Sequence, residues 1–273
     1  MKIADQNRNF ELKMNILRAA YGSDTVKLSA LAKETSVGKK KLCELAEGMC
    51  AASLIESVGE YSFARPKSVC LVLLRIYRDL ALLTFCRVGG NESIELRAVP
   101  ALSDDDNVAR YLSVVERACF EIREGGERVL AVASLVGVDD DLLLPSNLSC
   151  ACCRRDAIAR YLEIVGERRT TLYISLSNDR SFESLLFHNA EFVGNGAATG
   201  VFDASSLCAA FNFLKPERLI VQSNRAIAQE AQIREICKAR RIETDFFCGK
   251  ELTPEEQGMT DILLECDLRR SER

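Results

Sequence analysis

Three consecutive lysines, Lys39, Lys40 and Lys41, open a predicted helix. A helix N-terminus already presents unpaired N–H groups, so lysines added there make a place for phosphate. Lys40, Lys41 and Glu44 fall on the exposed face of its early turns, where side chains can reach base edges in a DNA major groove. Arg65, next to Pro66, is expected to add a phosphate contact. The plain alternative is that three lysines solvate a helix start. Cys150-Ala151-Cys152-Cys153 is a possible metal or redox cluster. Adjacent Cys152 and Cys153 cannot easily point at one ion, and no second Cys or His pair stands at ligand spacing. These thiols read as buried or idle. The single histidine, His188, precedes Asn189 in a predicted hairpin turn. A nucleophile–His–acid triad would have to use it and has no other support. No catalytic residue, metal or cofactor is expected.

The elements that position the lysines form a compact pattern. Leu28 to Thr35 reads as a short amphipathic helix, Ser36-Val37-Gly38 as a tight connector, and Lys39 to Leu45 as the start of a second helix. Leu31, Ala32, Val37, Leu42 and Leu45 are spaced so that two steeply crossing helices bury them together. Ala32 is small where the helices approach. This is helix-turn-helix spacing, with the second helix free to enter a major groove. Phe10 to Tyr21 supplies a preceding helix with Leu12, Ile16, Leu17 and Ala20 on one face. Two short strands around Gly59 form a wing that Pro66 ends. The helical context favours the DNA reading of the lysines.

Composition sets the frame. The chain has 273 residues, 48% hydrophobic and 28% charged, enough for a sizeable core. Residues 1–68 carry 11 Lys and Arg against 8 Asp and Glu; the remainder carries 25 against 32, for a net charge of −4. A mildly basic end on an acidic body fits nucleic-acid binding through one end only. No apolar run reaches spanning length, and the start MKIADQNRNF lacks a signal-peptide stretch. Twelve cysteines, many inside apolar runs, then read as reduced thiols of a cytoplasmic protein with no membrane partner.

From Ser68 the pattern changes. VCLVLLRIY, LALLTFCRV and SIELRAVP predict a three-strand meander, Asn107 to Arg123 a helix, Arg128 to Val138 a buried strand, and Arg154 to Val165 a helix. The order βββαβα then restarts with TTLYISL, SLLFHN and AEFVG, followed by the helix Ala204 to Leu214 and the strand Arg218 to Gln222. Ile227 to Arg241, Glu243 to Phe247 and Pro254 to Leu264 continue as helix, strand and helix. The expected fold is α/β: a winged helix-turn-helix at residues 1–68, then two ribonuclease H-like lobes at 69–169 and 170–273.

LAKETSVGKKKLCELA with its following LIES and ARP, LYISLSNDRSFESLLFHNAEFVGNGAATG, and LCAAFNFLKPERLIVQSN resemble the ROK family (repressors, open reading frames and sugar kinases), specifically its regulators. The resemblance implies a shortened two-lobe, actin-like and sugar-kinase-like body. It also shows departures. The kinases hold ATP phosphates on glycine turns, where bare backbone can approach closely. The matching positions read Arg75-Ile76-Tyr77-Arg78-Asp79, Ser177-Asn178-Asp179-Arg180-Ser181-Phe182 and Gln222-Ser223-Asn224. The kinases' catalytic aspartate aligns approximately with Asp156, which also reads simply as a first-turn carboxylate complementing the helix dipole. The family's zinc site is missing; only Ala198 to Asp203 stands where its long segment would lie. The sugar-contacting positions read Gly196-Ala197-Ala198-Thr199-Gly200, which leaves a small-molecule effector uncertain.

The expected function is transcriptional regulation by a pseudokinase-bodied regulator, not an enzyme. Its expected partner is double-stranded DNA, bound as a homodimer on a two-half-site operator. The alternatives are a sugar kinase with atypical loops and a winged-helix protein-interaction scaffold. Gly38, a weaker N-cap than Ser or Thr, and the acidic body leave room for the scaffold.

Overall fold

The computed structural model describes residues 2–23, 25–77, 80–135, 148–178, 181–199, 204–223, 226–227, 229–248 and 251–273. The chain begins with α1 (Lys2–Gly22), β1 (Val26–Lys27), α2 (Leu28–Thr35), α3 (Lys39–Ala51), β2 (Glu56–Gly59) and β3 (Ser62–Ala64). The strands form an antiparallel sheet of order β1-β3-β2. Leu12, Ile16, Leu17 and Ala20 of α1, Leu31 of α2 and Leu42, Leu45, Ala46 and Met49 of α3 share one buried core. The i, i+4 spacing seen in the sequence places them on facing stripes.

A first five-stranded sheet follows, built from β4 (Val69–Ile76), β5 (Leu80–Arg87), β6 (Gly90–Arg97), β7 (Arg128–Leu135) and β8 (Cys150–Cys153). Helix α4 (Asp104–Glu124) precedes β7 and α5 (Arg154–Ile164) follows β8. The second sheet uses β9 (Thr171–Asn178), β10 (Ser181–His188), β11 (Glu191–Thr199), β12 (Arg218–Ser223) and β13 (Glu243–Cys248). Its helices are α6 (Ala204–Leu214), α7 (Glu230–Ala239) and α8 (Pro254–Ser271). The strand orders, β6-β5-β4-β7-β8 and β11-β10-β9-β12-β13, are the same pattern twice. In each, a three-strand antiparallel meander passes to two parallel strands.

Two expectations need correction. The predicted order omits β8, because Cys-Ala-Cys-Cys has neither alternation nor branched residues; parallel pairing with Val132–Leu135 makes it a strand. Helix α4 starts at Asp104 rather than Asn107. The Ser103 hydroxyl accepts the Asp106 N–H, and Asp104, Asp105 and Asp106 fill the first turn. The far end of the expected strand reaching Val138 lies outside the described residues.

Strand β4 is buried along its whole length because helices cover both faces of the first sheet. Val108, Tyr111, Leu112 and Val115 of α4 pack on Cys70, Val72 and Leu74. Met259 and Leu263 of α8 pack on Val69, Leu71, Leu73, Leu130 and Val132 of the opposite face. Helix α8 follows the second sheet in the chain yet lies on the first. Helix α5 follows the first sheet and sets Ile158, Tyr161 and Leu162 against Tyr173, Phe187 and Ile220 of the second. The two helices thus cross between the sheets, and they cross closely. A Cβ on Gly258 would lie 1.8 Å from the Ala157 carbonyl oxygen.

Gly258→Ala must therefore push α8 off α5 and is expected to destabilise the fold by on the order of 3 kcal/mol. Gly48 lies in α3 with nothing within 4 Å of its missing Cβ. Gly48→Ala is expected to stabilise by about 1 kcal/mol through helix propensity. Urea unfolding of both variants should give opposite signs.

Candidate functional site

The lysine cluster lies where α3 begins. Ser36 takes the left-handed conformation, φ 53°, and turns the chain between α2 and α3. Gly38 caps α3 from an extended conformation, φ −60°, with no side-chain cap. Lys39, Lys40, Lys41 and Glu44 are exposed, while Leu42 and Leu45 are buried in the core shared with α1. Helix α3 therefore shows one apolar and one charged face. The Lys39 ammonium stands 3.6 Å from the centroid of the Tyr61 ring, which lies in the β2–β3 turn. Tyr61 itself adopts φ 58°, and its carbonyl accepts the Leu28 N–H at 3.0 Å. These contacts hold the hairpin tip beside the start of α3 on one surface.

Arg65 does not join that surface. Its guanidinium donates to the Val69 carbonyl at 3.1 Å and to the Cys86 carbonyl, and it stacks over the Tyr21 ring at 5.1 Å. Burial holds its pKa below the ordinary value. The expected phosphate contact is corrected: Arg65 ties α1 to the first sheet. A Pro following it and a turn of chain were the sequence signal, and neither tells which way the side chain points.

A second cluster, outside the sequence expectations, fills the junction of the two sheets. It gathers the ends of β4, β7 and β12 with the N-termini of α5 and α8. Helix α8 starts with a capping box, the Thr253 hydroxyl accepting the Glu256 N–H and the Glu256 carboxylate accepting the Thr253 N–H, with Pro254 in the first turn. The Glu256 carboxylate also pairs with the Arg75 guanidinium at 3.1 Å and accepts from the Thr84 hydroxyl at 2.6 Å. Arg154 donates to Glu255 and to the Ile76 carbonyl, at 3.1 and 3.0 Å, and pairs with Glu183. It lies over the Tyr77 ring, 4.4 Å from the centroid. Ser134 and Gln222 donate to Glu255, and Gln222 also donates to the Tyr77 hydroxyl at 3.3 Å. Arg75, Arg154, Glu255 and Glu256 are each no more than 5% exposed. Burial alone would lower both arginine pKa values. Tyr77 and the surrounding glutamates outweigh it, so both shift upward and stay charged.

Of the stretches that the sequence resemblance set against glycine turns, Arg75, Tyr77 and Gln222 belong to this junction. At the first, Tyr77 puts a ring among the two arginines; Arg78 and Asp79 lie outside the described residues. The second turn's Asp179 and Arg180, the third's Asn224, and residues 200–203 also lie outside them. Asp156 is in the first turn of α5, half exposed. Burial would raise its pKa, but hydrogen bonds from Cys153 and Arg155 outweigh it and keep the carboxyl below its ordinary value. His188 ends β10, exposed, with Nδ1 3.0 Å from the Thr170 hydroxyl. Among the described residues, no group of three or more His, Cys, Asp or Glu is placed to hold a metal, and no helix is long and apolar enough to cross a membrane. The sequence carried one signal for the junction: Arg75 inside the apolar run VCLVLLRIY.

Removing one partner from a buried pair leaves the other charge stranded. Arg154→Met is expected to cost about 3–5 kcal/mol in urea unfolding. Adding Glu255→Leu to that variant should recover part of the loss.

No family profile and no curated protein matches the sequence. Solved structures do. One is a ROK family transcriptional regulator described as a homolog of the Escherichia coli Mlc protein. It superposes with a TM-score of 0.57 at 10% identity, over 95% of this chain and 98% of its own. A ROK family glucokinase from Streptomyces griseus, solved with glucose and AMPPNP, gives 0.44 at 9% identity over 71% and 98%. A protein of unknown function with an actin-like ATPase fold, from Bacteroides thetaiotaomicron, gives 0.41 at 9% identity over 72% and 96%. The overlap with the first of these, nearly complete on both sides, shows that the two chains share a mixed α/β fold from end to end.

Proposed function

We propose that this chain is a transcriptional regulator of the ROK type, in which residues 1–68 form a winged helix-turn-helix that binds double-stranded DNA. The observation that carries the reading is the surface formed by α3 and the β2–β3 turn. Lys39, Lys40 and Lys41 are exposed at a helix N-terminus, and the turn is held beside them by Tyr61. Lysines and N–H groups there serve phosphates, and Lys40, Lys41 and Glu44 face outward to base edges. The end-to-end fold shared with a ROK family transcriptional regulator supports it. A single small unit of this kind offers DNA little surface, so a homodimer on two half-sites belongs to the proposal.

In this reading the body, residues 69–169 and 170–273, is a pseudokinase. The junction between the sheets favours that. Two arginines there are neutralised by the protein's own glutamates, and Tyr77 stands where a bare glycine would have to admit phosphate. A sugar kinase is the second reading, a protein-docking scaffold the third; no observation favours either over DNA binding. A small-molecule effector stays outside the proposal.

Two experiments test it. Changing Lys39, Lys40 and Lys41 together to Ala should weaken binding to every DNA sequence. The slope of log affinity against log salt should flatten by about one unit for each phosphate that is no longer neutralised. Leu42→Ala should instead cost roughly 2–5 kcal/mol of stability, because Leu42 is fully buried. An unchanged salt slope in the triple variant would remove α3 from DNA and put the scaffold first. Calorimetry with ATP and magnesium should show no binding at millimolar ligand; micromolar affinity would overturn the pseudokinase reading.

A further inference from the structure

Twelve thiols are distributed over the chain, and two of them, Cys150 and Cys266, come together from elements distant in sequence. Helix α8 presents Met259 and Leu263 to the first sheet. Helical spacing continues that stripe through Cys266 to Arg270. Arg270 donates to the Ser149 carbonyl, which fixes the end of the stripe beside the start of β8. Cys150 is the next residue, and it packs on the same apolar cluster as Met259 and Leu263. The Cys266 side chain is among the groups that raise the Cys150 thiol, which sets the two side chains beside one another. Both residues are partly rather than fully buried. Strand, helix and flanking hydrogen bond together hold the two thiols in place.

We propose that Cys150 and Cys266 are an oxidation site, closing to an intramolecular disulfide when a peroxide is present. The Cys266 thiolate attacks one peroxide oxygen; an S–O bond forms, the O–O bond breaks, and the departing hydroxide takes up a proton to leave as water. Cys150 then gives up its proton and attacks the sulfenic sulfur. The S–S bond forms, the S–O bond breaks, and a second water leaves. Two thiols lose two electrons in all, and one peroxide gains them. Burial raises the Cys150 thiol well above its ordinary pKa, so Cys150 rests protonated and responds to sustained rather than slight oxidant exposure. A thiol under reducing conditions reverses the step by exchange.

The bond would act on more than β8. Helix α8 also places Leu264 and Leu268 in the core of α1 and α3, and Arg18 of α1 grips Asp261 through two hydrogen bonds at 2.7 and 3.0 Å. Arg269 of α8 lies over the Phe10 ring, 4.5 Å from its centroid. Fixing α8 to β8 therefore fixes the seat of α1. The chemistry of the pair is independent of DNA binding.

The test uses the full chain treated with hydrogen peroxide, with free thiols then blocked and peptides mapped without reductant. The expected result is one cross-linked peptide pair joining Cys150 to Cys266, absent from Cys266→Ser and reversed by dithiothreitol. The melting temperature of the parent should rise by on the order of 10 °C on oxidation, since the closed loop is long. Cys266→Ser should melt at the parent's reduced temperature and not respond. Hydrogen exchange in α1 should slow on oxidation in the parent only. A map showing oxidised Cys150 or Cys266 without that pair, or a disulfide using Cys152 or Cys153 instead, overturns the site. A cross-link that leaves exchange in α1 unchanged overturns the coupling to α1.

Discussion

The guanidinium of Arg154 joins three parts of the molecule that have no covalent reason to meet. One nitrogen donates to the Ile76 carbonyl at the end of the first sheet. Another pairs with Glu183 on the second sheet, and the third reaches Glu255 at the start of α8. Desolvating a guanidinium so completely is costly unless every donor direction is met. Here carboxylates, a carbonyl and the Tyr77 ring meet them. Arg75 is served by Glu256, Thr253 and the Tyr77 hydroxyl, while its buried Nε has no hydrogen-bond partner among the described residues. A set of charges with such directional demands fixes where the sheets sit and how α5 and α8 begin. Apolar contacts between the sheets would be indifferent to small slides.

Helix α8 carries the consequences along its length. Its first turn belongs to the charged junction, its middle to the core of the first sheet, and its end to the core of α1 and α3. It is buried nearly all round, and so are its acids Glu255, Glu256, Asp261 and Asp267. Asp261 is shared between Arg18 of α1 and Arg160 of α5, and Asp267 pairs with Arg128 at the start of β7. A helix covered on every side shows no single apolar stripe, and its polar residues need partners brought from elsewhere. Gly258 completes the arrangement by letting its backbone rest on Ala157. The proposed DNA-facing surface and the body are therefore mechanically connected through one helix, with the Cys150–Cys266 pair on its flank.

The two clusters differ in what water does to them. Lys39, Lys40 and Lys41 are solvated and hold no carboxylate partner among the described residues, so their charge is free to meet a polyanion. Arg75 and Arg154 are no less basic but are spent internally. This is a physical basis for one end of an acidic protein presenting positive charge while its interior arginines do not.

The sequence alone determined the elements whose pattern is local. Apolar spacing at Leu12, Ile16 and Leu17, and at Leu42 and Leu45, marked helices that share a core. The runs around Leu73 and Leu83 marked strands, and the repeat of meander, helix and strand showed in the order of elements. Exposure of Lys39, Lys40, Lys41 and Glu44 was also legible, because a helix with one apolar face must turn the other to water. What the tertiary structure decided was non-local. Strand β8 exists because β7 pairs with it, not because its cysteines prefer extended backbone. Arg65 turned inward because the Val69 and Cys86 carbonyls were waiting for a donor. Glu183, Glu255, Ile76 and Thr253, four of the partners of Arg154 and Arg75, lie 29 to 178 residues away along the chain. No periodicity connects residues so distant; only the crossing of α5 over α8 brings them within a hydrogen bond.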